Sequence, residues 1–125
     1  MRREGNEGQA SVELALALPL IALLLLLIAQ FGLVVRDQVL VVHAAREAAR
    51  RAAVDPAEAS WRQAALAAAP LDPGRLQLRV APGAGRGTEV QVSVAYRSPT
   101  IAPIIGGLLP DILLRGGASM RREYE

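Results

Sequence analysis

Glu13 stands at the lip of a long apolar run, five residues after Gly8, in the stretch "GQASVELALALPLIALLLLLIAQFGLVV" at residues 8–35. An ionised carboxylate there costs less than the roughly 2.5–3.5 kcal/mol it would cost at the centre of a bilayer, yet it still needs compensation. Two kinds are open. A helix N-terminus favours a nearby negative charge by about 0.3–1 kcal/mol. A cut after Gly8 would instead start the chain at Gln9 and put a free ammonium four residues from Glu13. In a staggered bundle of such helices, that ammonium and a neighbour's carboxylate would neutralise one another in apolar surroundings.

Other side chains capable of chemistry lack companions. His43 is the only histidine and there is no cysteine, so no thiolate nucleophile, thiolate metal site or disulfide framework can be built. Ser11 lies at the apolar boundary, Ser60, Ser93, Ser98 and Ser119 have no base at a patterned spacing, and no Gly-x-Ser-x-Gly elbow is present. Asp37 and Glu47 could pair as acid and base, but charges on a helix face are ordinarily just solvated. The glycine-rich "PGAGRG" at 82–87 is followed by no helix, which removes the geometry of a phosphate cradle and leaves a hairpin loop. Fourteen arginines and no lysine are spread along the chain against 12 acids, and aromatics are 3%; a nucleic-acid surface of interleaved basic and stacking residues is not expected. The expectation is a protein that is not an enzyme and takes no cofactor, metal or nucleic acid.

The elements that position Glu13 follow from hydropathy. From Leu14 to Val35 the chain runs 22 residues without a formal charge, interrupted by Pro19, Gln30 and Gly32. At about 1.5 Å per residue this is roughly 33 Å of helix against a hydrocarbon core of about 30 Å. The run exceeds the roughly 7–15 apolar residues of a secretory signal, and Ala29-Gln30-Phe31 is a poor small-x-small cleavage site, so a transmembrane helix is predicted. Arginines flank both ends, and orientation rests instead on the short leader, which places the N-terminus inside and the bulk of the protein outside. Pro19 predicts a kink near residues 15–19.

Beyond Val35, "RDQVLVVHAAREAARRAA" has no Gly or Pro and continues the helix. Val35, Val39, Val42, Ala45, Ala49 and Ala52 share one stripe, and Arg36, His43, Glu47 and Arg50 another. Arg46, Arg50 and Arg51 form a cluster that is expected to be solvated, with lipid headgroups as the other possible partner. "DPAE" at 55–58 starts a second helix, with Asp55 as cap and Pro56 in the first helical position, ending near Ala69. Its inward stripe is Ala57, Trp61, Ala64, Ala65 and Ala68, with Trp61 in the core or at the membrane interface. Residues 75–80 and 89–97 alternate with period two, turning Leu76, Leu78, Val80, Val90, Val92, Val94 and Tyr96 to one core. "TIAPIIGGLLP" after Pro99 is too broken by prolines to span a bilayer and is expected to pack on the sheet. Residues from about Ile112 to Arg122 add a possible third strand, with a bulge or break at Gly116-Gly117. The fold class is α+β: a long N-terminal transmembrane helix continuing into a small domain with a second helix and a two- to three-stranded antiparallel sheet. The divisions are a charged leader at 1–8, a transmembrane and extended helix at 9–53, and a small extracytoplasmic domain at 54–125. The last is near the lower size limit for a self-sufficient core.

The charged leader "MRREGNEG", its closing glycine, four residues, a glutamate and an apolar helix resemble the type IV pilin and pseudopilin signal read by prepilin peptidases. More narrowly, "GQASVELALALPL", "FGLVVRDQVLVVHAAREAARRAA" and the terminal "GGASMRREYE" resemble the TadE-like family of the tight-adherence (Tad, or Flp) pilus systems. The resemblance implies that Gly8 and Gln9 flank the scissile bond and that Glu13 is the pilin-type glutamate, pairing with an N-terminal amine in assembly. Leu14 departs from the aromatic residue often found at that place. It further implies a minor or assembly-associated pilin-like component of a Tad/Flp type IV pilus or related secretion system. The implied partners are a prepilin peptidase, other pilin-like subunits, Tad pilus assembly proteins and the lipid bilayer of the cell membrane. The alternative with the same topology is an uncleaved single-pass anchor presenting a small interaction domain to another envelope protein.

Overall fold

A nearly uninterrupted supply of helix-forming residues produces one helix, α1 (Gly5–Val54), of 50 residues. The computed structural model describes residues 5–81, 87–100, 107 and 110–123. Pro19 lies inside α1 without ending it. The helix stops where Pro56 disfavours α geometry in the residue before it, and the Asp55 N–H closes the last turn on the Arg51 carbonyl at 2.8 Å.

The second helix, α2 (Glu58–Ala68), begins later than Asp55 would place it. Ala57 is its N-cap and supplies no side-chain bond. Asp55 instead makes a local turn, its Oδ1 accepting from the Ala57 N–H at 2.9 Å. The difference is a matter of reach, because the carboxylate bonds the second residue after it and so orders the turn between helices rather than the first turn of α2. A 3₁₀ turn at Pro73–Arg75, capped by Asp72 through the Gly74 N–H, leads into the sheet.

Three strands, β1 (Leu76–Ala81), β2 (Glu89–Ser98) and β3 (Ile112–Arg121), form an antiparallel sheet in the order β1-β2-β3. The architecture is the expected α+β one, and the third strand is present. Gly87 carries the positive φ (81°) at the close of the β1–β2 hairpin, a conformation that glycine adopts without steric cost. Residues 82–86 of that loop, and 101–106, 108 and 109 of the apolar connection before β3, lie outside the described residues.

The core lies between α1, α2 and the inner face of the sheet. Leu76, Leu78, Val90, Val92, Val94 and Tyr96 are buried as the alternation predicted, while Val80 is only partly buried. On α1 the inward stripe differs from the expected one. Val41, Ala44, Ala45, Ala48, Ala49 and Ala52 are buried, but Val35 is 46% and Val39 52% exposed. In a segment that is apolar on several sides, 3–4 spacing alone does not choose the face; contact with the sheet does. Small alanines let α1 approach its neighbours closely. Valines at the contacts, Val41 and Val94 among them, each supply about 1.5–3 kcal/mol of burial relative to exposure. On α2, Trp61 and Ala65 are buried and Ala69 just beyond it joins them, whereas Ala57 and Ala68 are exposed.

Candidate functional site

Two regions hold the residues of interest: the bare N-terminal half of α1 and its junction with the sheet. The bare half starts with Gly8 and Gln9, both exposed, and an added Cβ at Gly8 would meet no atom within 4 Å. The Gly8–Gln9 bond therefore lies early in α1, in the end turns where local opening is inexpensive. One turn on, the Gln9 Nε2 donates to Glu13 Oε1 at 3.4 Å, so residues 9 and 13 share a face. A free amine created at residue 9 would start within one helical turn of this carboxylate.

From Val12 to Phe31 the large apolar side chains are solvent-facing, save the half-buried Leu26. Leu16 is 74%, Leu20 68% and Phe31 70% exposed, too much unbroken apolar surface to leave in water. Among the described residues, α1 is the one helix long and apolar enough to cross a membrane, and none of its most apolar stretch is buried by the rest of the fold. Pro19 lies in this half.

At the junction three side chains tie helix to sheet. Ser98 Oγ donates to Asp37 Oδ2 at 2.7 Å, and both residues are buried. Gln38 Nε2 donates to the Arg115 carbonyl at 3.0 Å, and Gln30 Nε2 to the Pro99 carbonyl at 3.4 Å. Higher up, the Glu123 N–H donates to the Ala53 carbonyl at 3.0 Å. These contacts order the sheet along α1: the end of β2 and the start of β3 lie at the level where the apolar run gives out, and the end of β3 lies near the top of the helix. The buried Asp37–Ser98 bond fixes register, since a one-residue slip of β2 would turn Ser98 to the outer face and take from Asp37 Oδ2 its hydrogen bond.

Gly116 marks the closest approach. Its φ is not in the left-handed region, and β3 runs through Gly116 and Gly117 in unbroken register with Val94 and Ser93, so the expected bulge or break is absent. The glycine answers to the helix instead, because a Cβ here would lie 2.9 Å from Val41 Cγ1.

Asp37 and Glu47 are not brought together as an acid–base pair; Asp37 faces Ser98 and Arg36, whose Nη1 is 3.6 Å from Asp37 Oδ1. His43 is exposed. Among the described residues no group of three or more His, Cys, Asp or Glu converges on a metal-sized space. Arg46 and Arg50 are exposed, and Arg51 Nε donates to Ser60 Oγ at 2.7 Å, joining α1 to α2. Two functional features escaped sequence reasoning. Ser98 continues the even-numbered inward parity of Val90, Val92, Val94 and Tyr96, and Asp37 lies four residues before Val41 on the same helical stripe; both signals were present.

At the start of β3, Asp111 accepts from Arg75 Nη1 at 2.9 Å and from the Thr100 N–H at 3.4 Å. The Arg75 guanidinium, followed by that backbone N–H, holds the Asp111 carboxyl below the ordinary value of 3.8. A depressed folded-state pKa stabilises above the unfolded pKa, and that contribution is lost as pH falls through the folded one. Asp111→Asn is therefore expected to lower the melting temperature slightly at pH 7 and to flatten its decline below about pH 4. Thermal melts from pH 7 to 3 check this, and an unchanged acid limb would count against the pair.

Residues 8–50 match the family model for TadE-like protein, the family that the sequence resembles. The matched stretch covers the bare half of α1 and most of the half that packs on the sheet, and ends before α2. No curated protein and no solved structure matches the chain.

Proposed function

From the premise that residues 8–50 form a TadE-like segment, we propose that this protein is a pilin-like component of a Tad/Flp pilus or related secretion system, working by assembly rather than catalysis. It is inserted by the N-terminal half of α1, with its N-terminus cytoplasmic and its sheet domain extracytoplasmic. A membrane prepilin peptidase cuts it between Gly8 and Gln9. The single observation that carries this is the position of Gly8 and Glu13 on the exposed opening turns of a continuous helix within the TadE-like match.

The mechanism follows from charge. Cleavage exposes the Gln9 ammonium; in the bilayer this charge and Glu13 lie near the boundary, where water and headgroups solvate both. When helices leave the bilayer and pack, each charge loses that solvation, and burying it unpaired is strongly unfavourable. A staggered neighbour whose carboxylate meets the ammonium removes both penalties together, which selects one axial offset. The sheet domain, pinned to the upper half of α1, is carried on the outside of such a bundle and is available to other assembly proteins.

Glu13→Gln keeps the shape of the side chain and removes its charge. The variant is expected to insert into membranes as the wild type does and to lose most co-purification with pilus assembly partners. Membrane fractionation beside a pull-down tests this, and undiminished partner recovery would sink the pairing role.

A further inference from the structure

Among the described residues, no element covers the face of the sheet turned away from α1. Odd-numbered residues project there, and Arg75, Arg79, Arg97 and Arg115 surround a shallow depression of about 410 Å³ floored by Ser93 and Ala95. Arg75 is partly neutralised, by Asp111 at 2.9 Å and Asp72 at 3.8 Å. Arg79, Arg97 and Arg115 are exposed and have no ion pair among the described residues. Arg97, whose charge also acts on the Asp111 carboxylate, and Arg115, cross-strand from Ala95, bring two exposed guanidiniums to one end of this depression, with Arg79 opposite Ser93 further along the sheet. They make a cup for an oxyanion, and arginine's planar fork suits phosphate in particular.

The height of the cup above the bilayer selects the source of that phosphate. The apolar run ends at Val35. Arg115 is tied through its carbonyl to Gln38, about 4.5 Å further along the helix. Arg97 adjoins Ser98, which bonds Asp37, about 3 Å beyond Val35. The headgroup layer extends roughly 5–8 Å past the hydrocarbon, so with α1 upright the backbone at Arg97 and Arg115 lies at headgroup level, and their side chains can reach phosphate depth. Leu113, 49% exposed, is the cross-strand partner of Arg97 in the same cup and brings an apolar side chain to the boundary. Arg46 and Arg50, about 16 and 22 Å beyond Val35, are too distant to share this role.

We propose that this arginine cup binds the phosphate of an anionic phospholipid headgroup, seating the sheet domain on the membrane before assembly. The inference rests on the membrane-spanning role assigned above to α1. Lifting the helix out of the bilayer would break this contact, so the cup also opposes premature extraction.

The test uses the full-length protein in detergent, with equimolar phosphatidylglycerol and phosphatidylcholine and native mass spectrometry to count retained lipid. The wild type should retain the anionic lipid preferentially, and R97Q/R115Q should reduce that preference about tenfold or more, given the contribution of each surface arginine. Circular-dichroism melting confirms that the variant folds; should it fail, the single variants Arg97→Gln and Arg115→Gln are each expected to lose part of the preference. Equal retention of both lipids by the wild type, or full preference in a folded double variant, overturns the proposal. Displacement of the lipid by millimolar inorganic phosphate would identify free phosphate as the ligand and also overturn it, whereas persistence supports the lipid. Reconstitution into pure phosphatidylcholine vesicles separates the premise from the inference. Failure of the wild type to float with them refutes the membrane-spanning role, while flotation without any anionic preference refutes the cup alone.

Discussion

In the native host, Gly8→Arg is expected to accumulate as a single species heavier by the eight-residue leader, with processing falling from essentially complete to none. The chain itself has no reason to object to the substitution. Position 8 is exposed and open, with no atom within 4 Å of an added Cβ, and arginine is a better helix former than glycine by somewhat under 1 kcal/mol. Any effect is therefore the peptidase's. A bulky charged side chain next to the scissile bond obstructs the approach that glycine allows, and the added helix propensity opposes the local unwinding that cleavage needs. Membrane fractionation should show the unprocessed form still inserted, because the apolar run is intact. Identical migration of variant and wild type on a gel would remove Gly8 from the role proposed for it.

The second large effect concerns the junction. Gly116→Val is expected to destabilise the sheet domain by about 1–3 kcal/mol, the usual cost of overpacking a filled core. On an open strand the same change would stabilise, since β-branched residues suit pleated backbone and glycine does not. Here the new Cβ alone would come within 2.9 Å of Val41 Cγ1, and the Val41 carbonyl carbon and oxygen are each 3.5 Å away. Val41 is fully buried and, being β-branched, has little freedom to turn aside. Val41→Ala leaves a cavity by itself, but together with Gly116→Val it should recover part of the loss, giving a non-additive coupling on the order of 1 kcal/mol. Denaturant unfolding of the four proteins measures it. A Gly116→Val protein more stable than the wild type would show that helix and sheet are not in contact there.

The contrast between these two glycines bears on what a linear reading reveals. The role proposed for Gly8 rests on a local pattern that a linear reading can find: charged leader, glycine, four residues, glutamate, apolar helix. Gly116 was misjudged because its meaning lies across the fold, and in one dimension a glycine pair inside a strand looks like a break. The alternation in β1 and β2 and the apolar run of α1 were equally legible, since each period is set by the element's own geometry. The inward stripe of α1 was not. Val35 and Val39 lie just where the chain leaves the apolar run, so their hydrophobicity has causes other than the core. Asp37, a charge beside Arg36, looked solvated until Ser98 arrived from 61 residues away. The arginine cup was hidden for the same reason: Arg75, Arg79, Arg97 and Arg115 come together only when three strands pair.

All of these observations converge on a helix with two duties. Its lower half carries the proposed processing site and an apolar surface that none of the described residues covers, and its upper half is the scaffold on which α2 and the sheet assemble. Rigid coupling between halves follows from the continuity of α1 and from the bonds of Gln30, Asp37 and Gln38 to the sheet. Movement of the lower half therefore carries the domain with it.

The most direct test is the intact mass and N-terminal sequence of the protein taken from membranes of its native host. A mature chain beginning at Gln9 is the predicted result, and it would place a free amine one turn from Glu13. A chain still beginning at Met1 or Arg2 would contradict the account, leaving a plain membrane anchor in which Glu13 is no more than a carboxylate at the helix boundary.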